Sequence, residues 1–510
     1  MSFLENIHTL KTLIRSFHPI IVIETVEEER VETLLKAVVE EISTPLFEWT
    51  VNHGLAPTLG TKYSPRTNEY ARPGTNQVEA FEKTAEPLDA LKYIRNIERT
   101  GIFWLKDVAA HLNEPEVVRE LRELANVYGS INSAFVITGE SVSLPKDIVH
   151  DAVYFELNLP DGDELYQTLS EVMRDLKFRH KLRINLQGEE LNQFVQALSG
   201  MTLKQARQAI AYAALVDGEL NGEDILKVIH RKAQILREES LLELYPVEEN
   251  TAKLGGFVGL KRWLARTKVG FSTAARRVNL PAPKGILIVG IQGCGKSLAA
   301  KTIAREWQLP LLKLDAGRLY DKYVGESEKN FRQAIKLAES MSPSVLWIDE
   351  VEKSFGGGDG DGGLSLRLFG SFLTWLQEKS GEVFVVATAN DLLQLPPELL
   401  RKGRFDEIFY VDLPNAQERA AIFTIHLTRH HQALPNFDFK ILVTAAKGFS
   451  GAEIEQAIIA GLYQALHEQR ELDTASLVAQ IKNTVPLSVS RREDVEKLRA
   501  IAAERFVPAR

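Results

Sequence analysis

The chain of 510 residues is short of three things: cysteine, long apolar runs and an excess of positive charge. Cys294 is its only cysteine, so no internal disulfide can staple the fold and a disulfide scaffold is excluded. Uninterrupted apolar stretches, such as Ile20 to Ile23 and Ile286 to Val289, fall far below the roughly 18 to 20 residues needed to cross a bilayer, and no transmembrane helix is expected. The opening segment carries Glu5, Lys11 and Arg15 where a secretory leader has a continuous apolar stretch, so no such signal is expected. Lys and Arg number 61 against 69 Asp and Glu, a net charge of −8. That balance disfavours tight, non-specific binding to DNA or RNA, which depends on cations displacing phosphate counterions. The expectation is a soluble protein of a reducing compartment.

What is present is ordinary globular material, 45% hydrophobic and 25% charged, long enough for roughly three domains of about 150 residues. Short β-rich apolar runs alternate with helical patterns, the signature of an α/β fold with parallel strands and crossover helices. One run carries the chemistry. The apolar strand Ile286 to Val289 leads through Gly290-Ile-Gln-Gly-Cys-Gly-Lys-Ser297 directly into a helical pattern, the context a phosphate-binding GxxxxGK[ST] motif requires. Gly290, Gly293 and Gly295 let the backbone turn its N–H groups inward at the positive end of the following helix, forming an anion site. Lys296 can reach the β- and γ-phosphates, and the Ser297 hydroxyl can ligate Mg²⁺. Cys294 has two readings, a thiol activated by the helix terminus or a small side chain filling the loop.

Downstream, Ser344-Val-Leu-Trp-Ile-Asp-Glu350 is an apolar strand that ends in two acids. Asp349 would hold Mg²⁺ and Glu350 would polarise the attacking water. The strand Val383 to Asn390 ends in an amide suited to orienting that water, and Leu399-Leu-Arg-Lys-Gly-Arg-Phe-Asp406 follows. In this order and spacing the four strings resemble the AAA+ ATPases, specifically the AAA clade, over about residues 251 to 470. The resemblance implies Arg401 and Arg404 as arginine fingers that complete a neighbouring subunit's site, and hence a ring, most often a homohexamer. Lys402 stands where the clade usually has Pro. Lys322-Tyr-Val-Gly-Glu-Ser-Glu328 is similar to the first pore loop of protein-remodelling members, with Tyr323 and Val324 in the gripping positions; packing of Tyr323 against nearby helices is the plain alternative. Gly356 to Gly363 reads as a second pore loop or as a connection. Phe449-Ser-Gly-Ala-Glu-Ile454 looks like the start of the lid helix that closes over the nucleotide.

The first half echoes the second. Gly101-Ile-Phe-Trp-Leu-Lys-Asp107 parallels Ser344 to Glu350, Ala134 to Thr138 parallels Val383 to Ala387, and Phe155-Glu-Leu-Asn-Leu-Pro160 parallels Phe409-Tyr-Val-Asp-Leu-Pro414. The copy lacks the chemistry: its first strand runs into Glu27-Glu-Glu29 with no glycine, and Lys106 and Asp107 replace the acidic pair. Three carboxylates would repel phosphate, so this half is not expected to hydrolyse ATP. Residues 56 to 90, with Pro57, Pro65, Pro73 and Pro87, form a long insertion that either contacts a partner or is a simple excursion.

The expected fold is a P-loop NTPase parallel sheet with a helical lid, preceded by a degenerate AAA+-like α/β module with its own helical lid. Residues 1–244 would form the degenerate module, 245–253 a linker, 254–415 the large ATPase subdomain and 416–510 the lid and terminal helix. Gly290, Gly293, Cys294, Gly295, Lys296, Ser297 and Leu298 would bind ATP, and Ser297 and Asp349 the Mg²⁺. Glu350, Asn390, Arg401 and Arg404 would be catalytic. Three longer strings, including Arg401 to Pro414, resemble the AAA+ proteins encoded in cyanobacterial and some algal plastid genomes. That resemblance implies a photosynthetic host and a place in cyanobacterial cytosol or plastid stroma. The leading expectation is an ATP-driven ring that remodels or threads a protein substrate. The alternative is a nucleotide-gated scaffold or regulator of photosynthesis or carbon metabolism, with the first module binding partners. A membrane partner is not expected, nor is nucleic acid.

Overall fold

The computed structural model describes residues 3–58, 80–97, 100–128, 133–180, 183–186, 188–239, 241–245, 257–315, 326–355, 364–379, 381–392, 394–401 and 403–509. Contacts divide the chain into two compact units, Met1–Ile225 and Leu226–Arg510. Among the described residues, no helix is long and apolar enough to cross a membrane.

The first unit is built on β1 (Ile20–Glu24), β2 (Leu46–Thr50), β3 (Gly54–Pro57), β4 (Ile102–Lys106), β5 (Ala134–Gly139) and β6 (Ala152–Tyr154), with a small pair β7 (Arg183–Ile184) and β8 (Glu219–Leu220). The sheet order is β3-β2-β4-β5-β1-β6, parallel except for β3. Strands buried on both faces read as continuous apolar runs, and β1 shows why: Ile20 and Val22 enter the core on one face, Ile21 and Ile23 the core on the other. Helices Gly162–His180, Glu189–Leu198 and Leu203–Asp217 follow the sheet. The last of them is started by a capping box between Thr202 and Gln205.

The second unit repeats the plan with β9 (Leu242–Tyr245), β10 (Gly285–Gly290), β11 (Leu311–Leu314), β12 (Ser344–Ile348), β13 (Val383–Ala389), β14 (Glu407–Val411) and β15 (Val507–Pro508). Its order is β15-β14-β10-β13-β12-β11-β9, parallel except for β9. Leu287 and Val289 of β10 face one core, Ile286 and Ile288 the other. A separate helical core joins Phe423, Leu442, Ile454, Ile458 and Leu477, and its helix Gly451–His467 also begins with a capping box, Ser450 with Glu453. Placing β1 on β10, β2 on β11, β4 on β12, β5 on β13 and β6 on β14 superposes the two strand orders, with an antiparallel edge strand in each. Two AAA-like α/β modules, each followed by helices, are therefore present.

The expected boundary after residue 244 falls later than the division in the contacts. Residues before it already belong to the second unit: β9 pairs antiparallel with β11, and Leu236, Leu241, Leu242 and Leu244 pack into the second core. Tyr245, expected to begin a linker, is the last residue of β9, and 246–253 lie outside the described residues. The charged tail forms the helix Arg492–Arg505, and the chain then returns to the sheet as β15.

Candidate functional site

The site lies at the carboxyl ends of β10, β12 and β13, neighbours in the sheet, where open α/β sheets place their ligands. Gly290 ends β10 because nothing larger fits: a Cβ there would stand 2.1 Å from the Val411 carbonyl oxygen of β14. Gly293 and Gly295 have φ of +77° and +91°, a region that costs L side chains energy. The turn delivers the chain into the helix Lys296–Trp307. Lys296 is buried, and its Nζ donates to the carbonyls of Gly290 and Ile291, both at 2.8 Å. Burial lowers its pKa to about 8, although the nearby thiol and acids oppose the shift. Half-buried Leu298 packs under the loop against the core that contains Ile286 and Ile303. Cys294 packs between that core and the small cluster of Ile291, Leu413 and Val495.

At the end of β12, the Ser297 hydroxyl donates to Asp349 Oδ1 at 3.1 Å, and the Thr388 hydroxyl donates to the same oxygen at 2.5 Å. Thr388 Oγ1 also accepts from the Glu350 N–H at 3.1 Å. Glu350 sits at φ +48°, a left-handed conformation sparsely populated by non-glycine residues. Its Oε1 accepts from Asn390 Nδ2 at 2.6 Å, and its Oε2 pairs with Lys353 Nζ at 2.7 Å. Buried Glu352 accepts from the Asn390 backbone N–H at 2.9 Å, and burial raises its pKa. The structure thus brings Lys296, Ser297, Asp349, Glu350 and Asn390 together. Sequence reasoning missed Thr388 and Glu352; a hydroxyl in the otherwise apolar Val383–Ala389 strand was the available signal for the first.

The donor set fits Mg²⁺. Two oxygens bound cis in an octahedron with bonds of 2.0–2.1 Å lie about 2.9 Å apart, close to the 3.1 Å between Ser297 Oγ and Asp349 Oδ1. Among the described residues no group of three or more His, Cys, Asp or Glu is arranged to hold a metal ion by itself.

Arg401 and Arg404 stand apart from this group within the chain. Arg401 is exposed. Arg404 donates to the Leu373 carbonyl at 3.0 Å and to Gln377 Oε1. Tyr323, Val324, Lys402 and the segment 356–363 lie outside the described residues.

The corresponding place in the first unit is filled by the chain's own side chains. Glu27, just beyond β1, accepts from the Leu203 N–H at 2.7 Å. In the second unit the related contact is made by backbone, Ala452 N–H to the Gly293 carbonyl at 3.0 Å. Arg30 is buried and donates to Glu164 through two bonds, at 2.8 and 2.7 Å, and to the Asn158 carbonyl. Lys106 pairs with Glu48 at 2.7 Å and Glu28 at 3.3 Å, with its ammonium 4.0 Å from the Trp104 ring centre.

Residues 286–413 match the model of the ATPase family associated with various cellular activities (AAA). Residues 6–157 and 163–239 match the N-terminal and second domains of SpoVK-like AAA ATPases. The chain is 39% identical over 501 residues to the uncharacterised AAA domain-containing protein ycf46 of Pyropia yezoensis, covering 97% of each. It is 37% identical to the protein of the same name in Guillardia theta over 97% of this chain and 94% of the relative. A cell division cycle protein 48 homolog of Archaeoglobus fulgidus is 27% identical over 59% of this chain and 44% of its own length.

Proposed function

The chain belongs to the AAA family of ATPases, and from that premise we propose that its second unit hydrolyses ATP with Mg²⁺ and that a ring of subunits uses the energy to remodel or thread a protein. One observation carries the reading: Asp349 shares an oxygen with the Ser297 and Thr388 hydroxyls while Asn390 holds Glu350. Two acids one residue apart thereby take different tasks. Ser297 and Asp349 would hold Mg²⁺, which offsets phosphate charge when bound. Lys296 would leave the Gly290 and Ile291 carbonyls for the β- and γ-phosphates. Glu350 would take the proton of the attacking water, and Asn390 would keep that carboxylate aimed.

Arg401 and Arg404 are the residues proposed to act in trans, the exposure of Arg401 leaving it open to a neighbour. A homohexamer follows from that role by resemblance, as does a grip on substrate by Tyr323 and Val324. A second reading, a nucleotide-gated scaffold, draws support from the first unit. Glu27 and, in the helix that follows, Arg30 are already paired within the unit where a phosphate loop would stand, which disfavours nucleotide there. Glu350→Gln tests the chemistry: it is expected to bind ATP and turn it over at least about a hundredfold more slowly. Turnover at the wild-type rate would remove Glu350 from its role. Tyr323→Ala separates the two readings, since lost remodelling with retained ATP turnover supports threading and an unaltered protein supports the scaffold.

A further inference from the structure

We propose that the segment following the terminal helix, Val507 to Ala509, forms one wall of the pocket for the base of the bound nucleotide. The proposal rests on Gly290 to Ser297 being the phosphate site. β15 lies parallel on β14, Phe409 opposite Val507 and Tyr410 opposite Pro508. Ala509, only 1% exposed, donates its N–H to the Tyr410 carbonyl and accepts from the Leu260 N–H, both at 3.0 Å. The segment is therefore stitched between the sheet and the helix Val258–Thr267.

Ala509 borders a narrow cleft lined also by Phe257, Cys294, Asp412, Ile422 and Gly451. Cys294 belongs to the phosphate loop, and Gly451 opens the lid helix whose next residue bonds to Gly293. The cleft thus begins where the loop meets the lid. Its lining is largely apolar, of the kind that suits a flat heteroaromatic ring, and its space of about 30 Å³ must widen to admit one. Two acids line it and both are already engaged: Asp412 receives a two-pronged contact from Arg499 at 2.8 to 3.0 Å and the Leu413 N–H at 2.7 Å, and Glu418 accepts from the Asn415 N–H at 2.8 Å. That same arginine anchors the terminal helix, and Val495 of the helix packs against Ile291 of the phosphate loop. Loop, helix and wall are thereby connected.

Affinities for Mg²⁺-ATP and for Mg²⁺-triphosphate, which has the phosphates and no base, test this by calorimetry on the full chain. Ala509→Leu pushes bulk into the cleft and is expected to weaken ATP by about tenfold or more, with KM rising in step, while triphosphate affinity stays within about twofold. Arg499→Ala, which loosens the helix from a half-exposed position, is expected to weaken ATP about three- to tenfold with the same selectivity, and Arg499→Lys to recover part of it. Unchanged ATP affinity in both variants, or equal losses for ATP and triphosphate, would overturn the proposal alone. A wild-type chain that binds neither probe would overturn the phosphate site as well.

Discussion

Replacing Thr388 by valine keeps the shape and removes one hydroxyl. Thr388 is 1% exposed, so the added methyl meets packed neighbours and not water, and no cavity opens. Two interactions vanish: the 2.5 Å donation to Asp349 and the 3.1 Å acceptance from the Glu350 N–H. A bond to a carboxylate contributes about 1.5–3 kcal/mol, and an unpaired, partly buried N–H adds about 1 kcal/mol or more. The second unit should lose about 2–4 kcal/mol of stability, read as a shift of its urea transition. Asp349 loses one of the two hydroxyls that share its Oδ1, and loss of a partner behind a metal ligand typically costs about 10- to 100-fold. Steady-state ATP hydrolysis titrated with Mg²⁺ should therefore show kcat reduced by that factor, about 1.4–2.7 kcal/mol in the barrier. The half-saturating Mg²⁺ should rise about tenfold. Thr388→Ser restores the hydroxyl and should remain within about threefold of wild type. If Thr388→Val turned over within about twofold of wild type, with an unshifted Mg²⁺ midpoint, the shared-oxygen arrangement would not be what aligns the two acids.

Binding should also report the proton on Lys296. Its pKa in the folded, ligand-free chain is lowered to about 8 by burial, below the unfolded value of about 10.4. Between those values the unfolded chain holds more protons, so stability of the ligand-free second unit rises with pH, by at most about 1.4 kcal/mol per pH unit. ATP needs the ammonium, so its dissociation constant should climb toward about tenfold per pH unit above pH 8 with uptake of one proton, measured by calorimetry in buffers of different ionisation enthalpy. A constant affinity from about pH 7 to 9 would contradict this. In the first unit, Arg30→Met strands Glu164, whose side chain is 11% exposed. That unit should lose about 3–5 kcal/mol, and a shift of its denaturation midpoint worth under about 1 kcal/mol would show that the ion pair is not buried in solution.

The parallel sheet was legible because its strands are buried on both faces, and only continuous apolar runs such as Ile286 to Val289 satisfy both. The phosphate loop was legible because a backbone that must donate its N–H groups to an anion needs glycine at set positions, a local demand that spacing alone reveals. Glu27 to Glu29 and Lys106 announced the loss of that demand in the first unit for the same reason. The echo between the halves became firm only in three dimensions, where the strand orders coincide. Thr388 and Glu352 were not legible as site residues, because their importance lies in which strand neighbours which. β13 stands beside β12 in the sheet although two helices, Val351–Phe355 and Leu364–Glu378, separate them in the chain, so the threonine reaches both acids across the sheet and not along the chain.

The division between the units shows the same limit. Tyr245 and Pro246 read as the start of a polar linker, yet the four residues Leu242–Tyr245 serve as the antiparallel edge of the second sheet. A short edge strand has little pattern of its own, because one side of it pairs and the other does not. By itself the sequence determined that the GxxxxGK[ST] pattern lies in the second half and has no counterpart in the first, since that depends on residue types presented by one short turn. Tertiary structure decided which hydroxyl aligns the acids, which carboxylate fills the first unit's loop, and that residues more than 200 positions apart, Cys294 and Ala509, border one cleft. Such pairings arise from packing between elements distant in the chain, and no local pattern of residues encodes them.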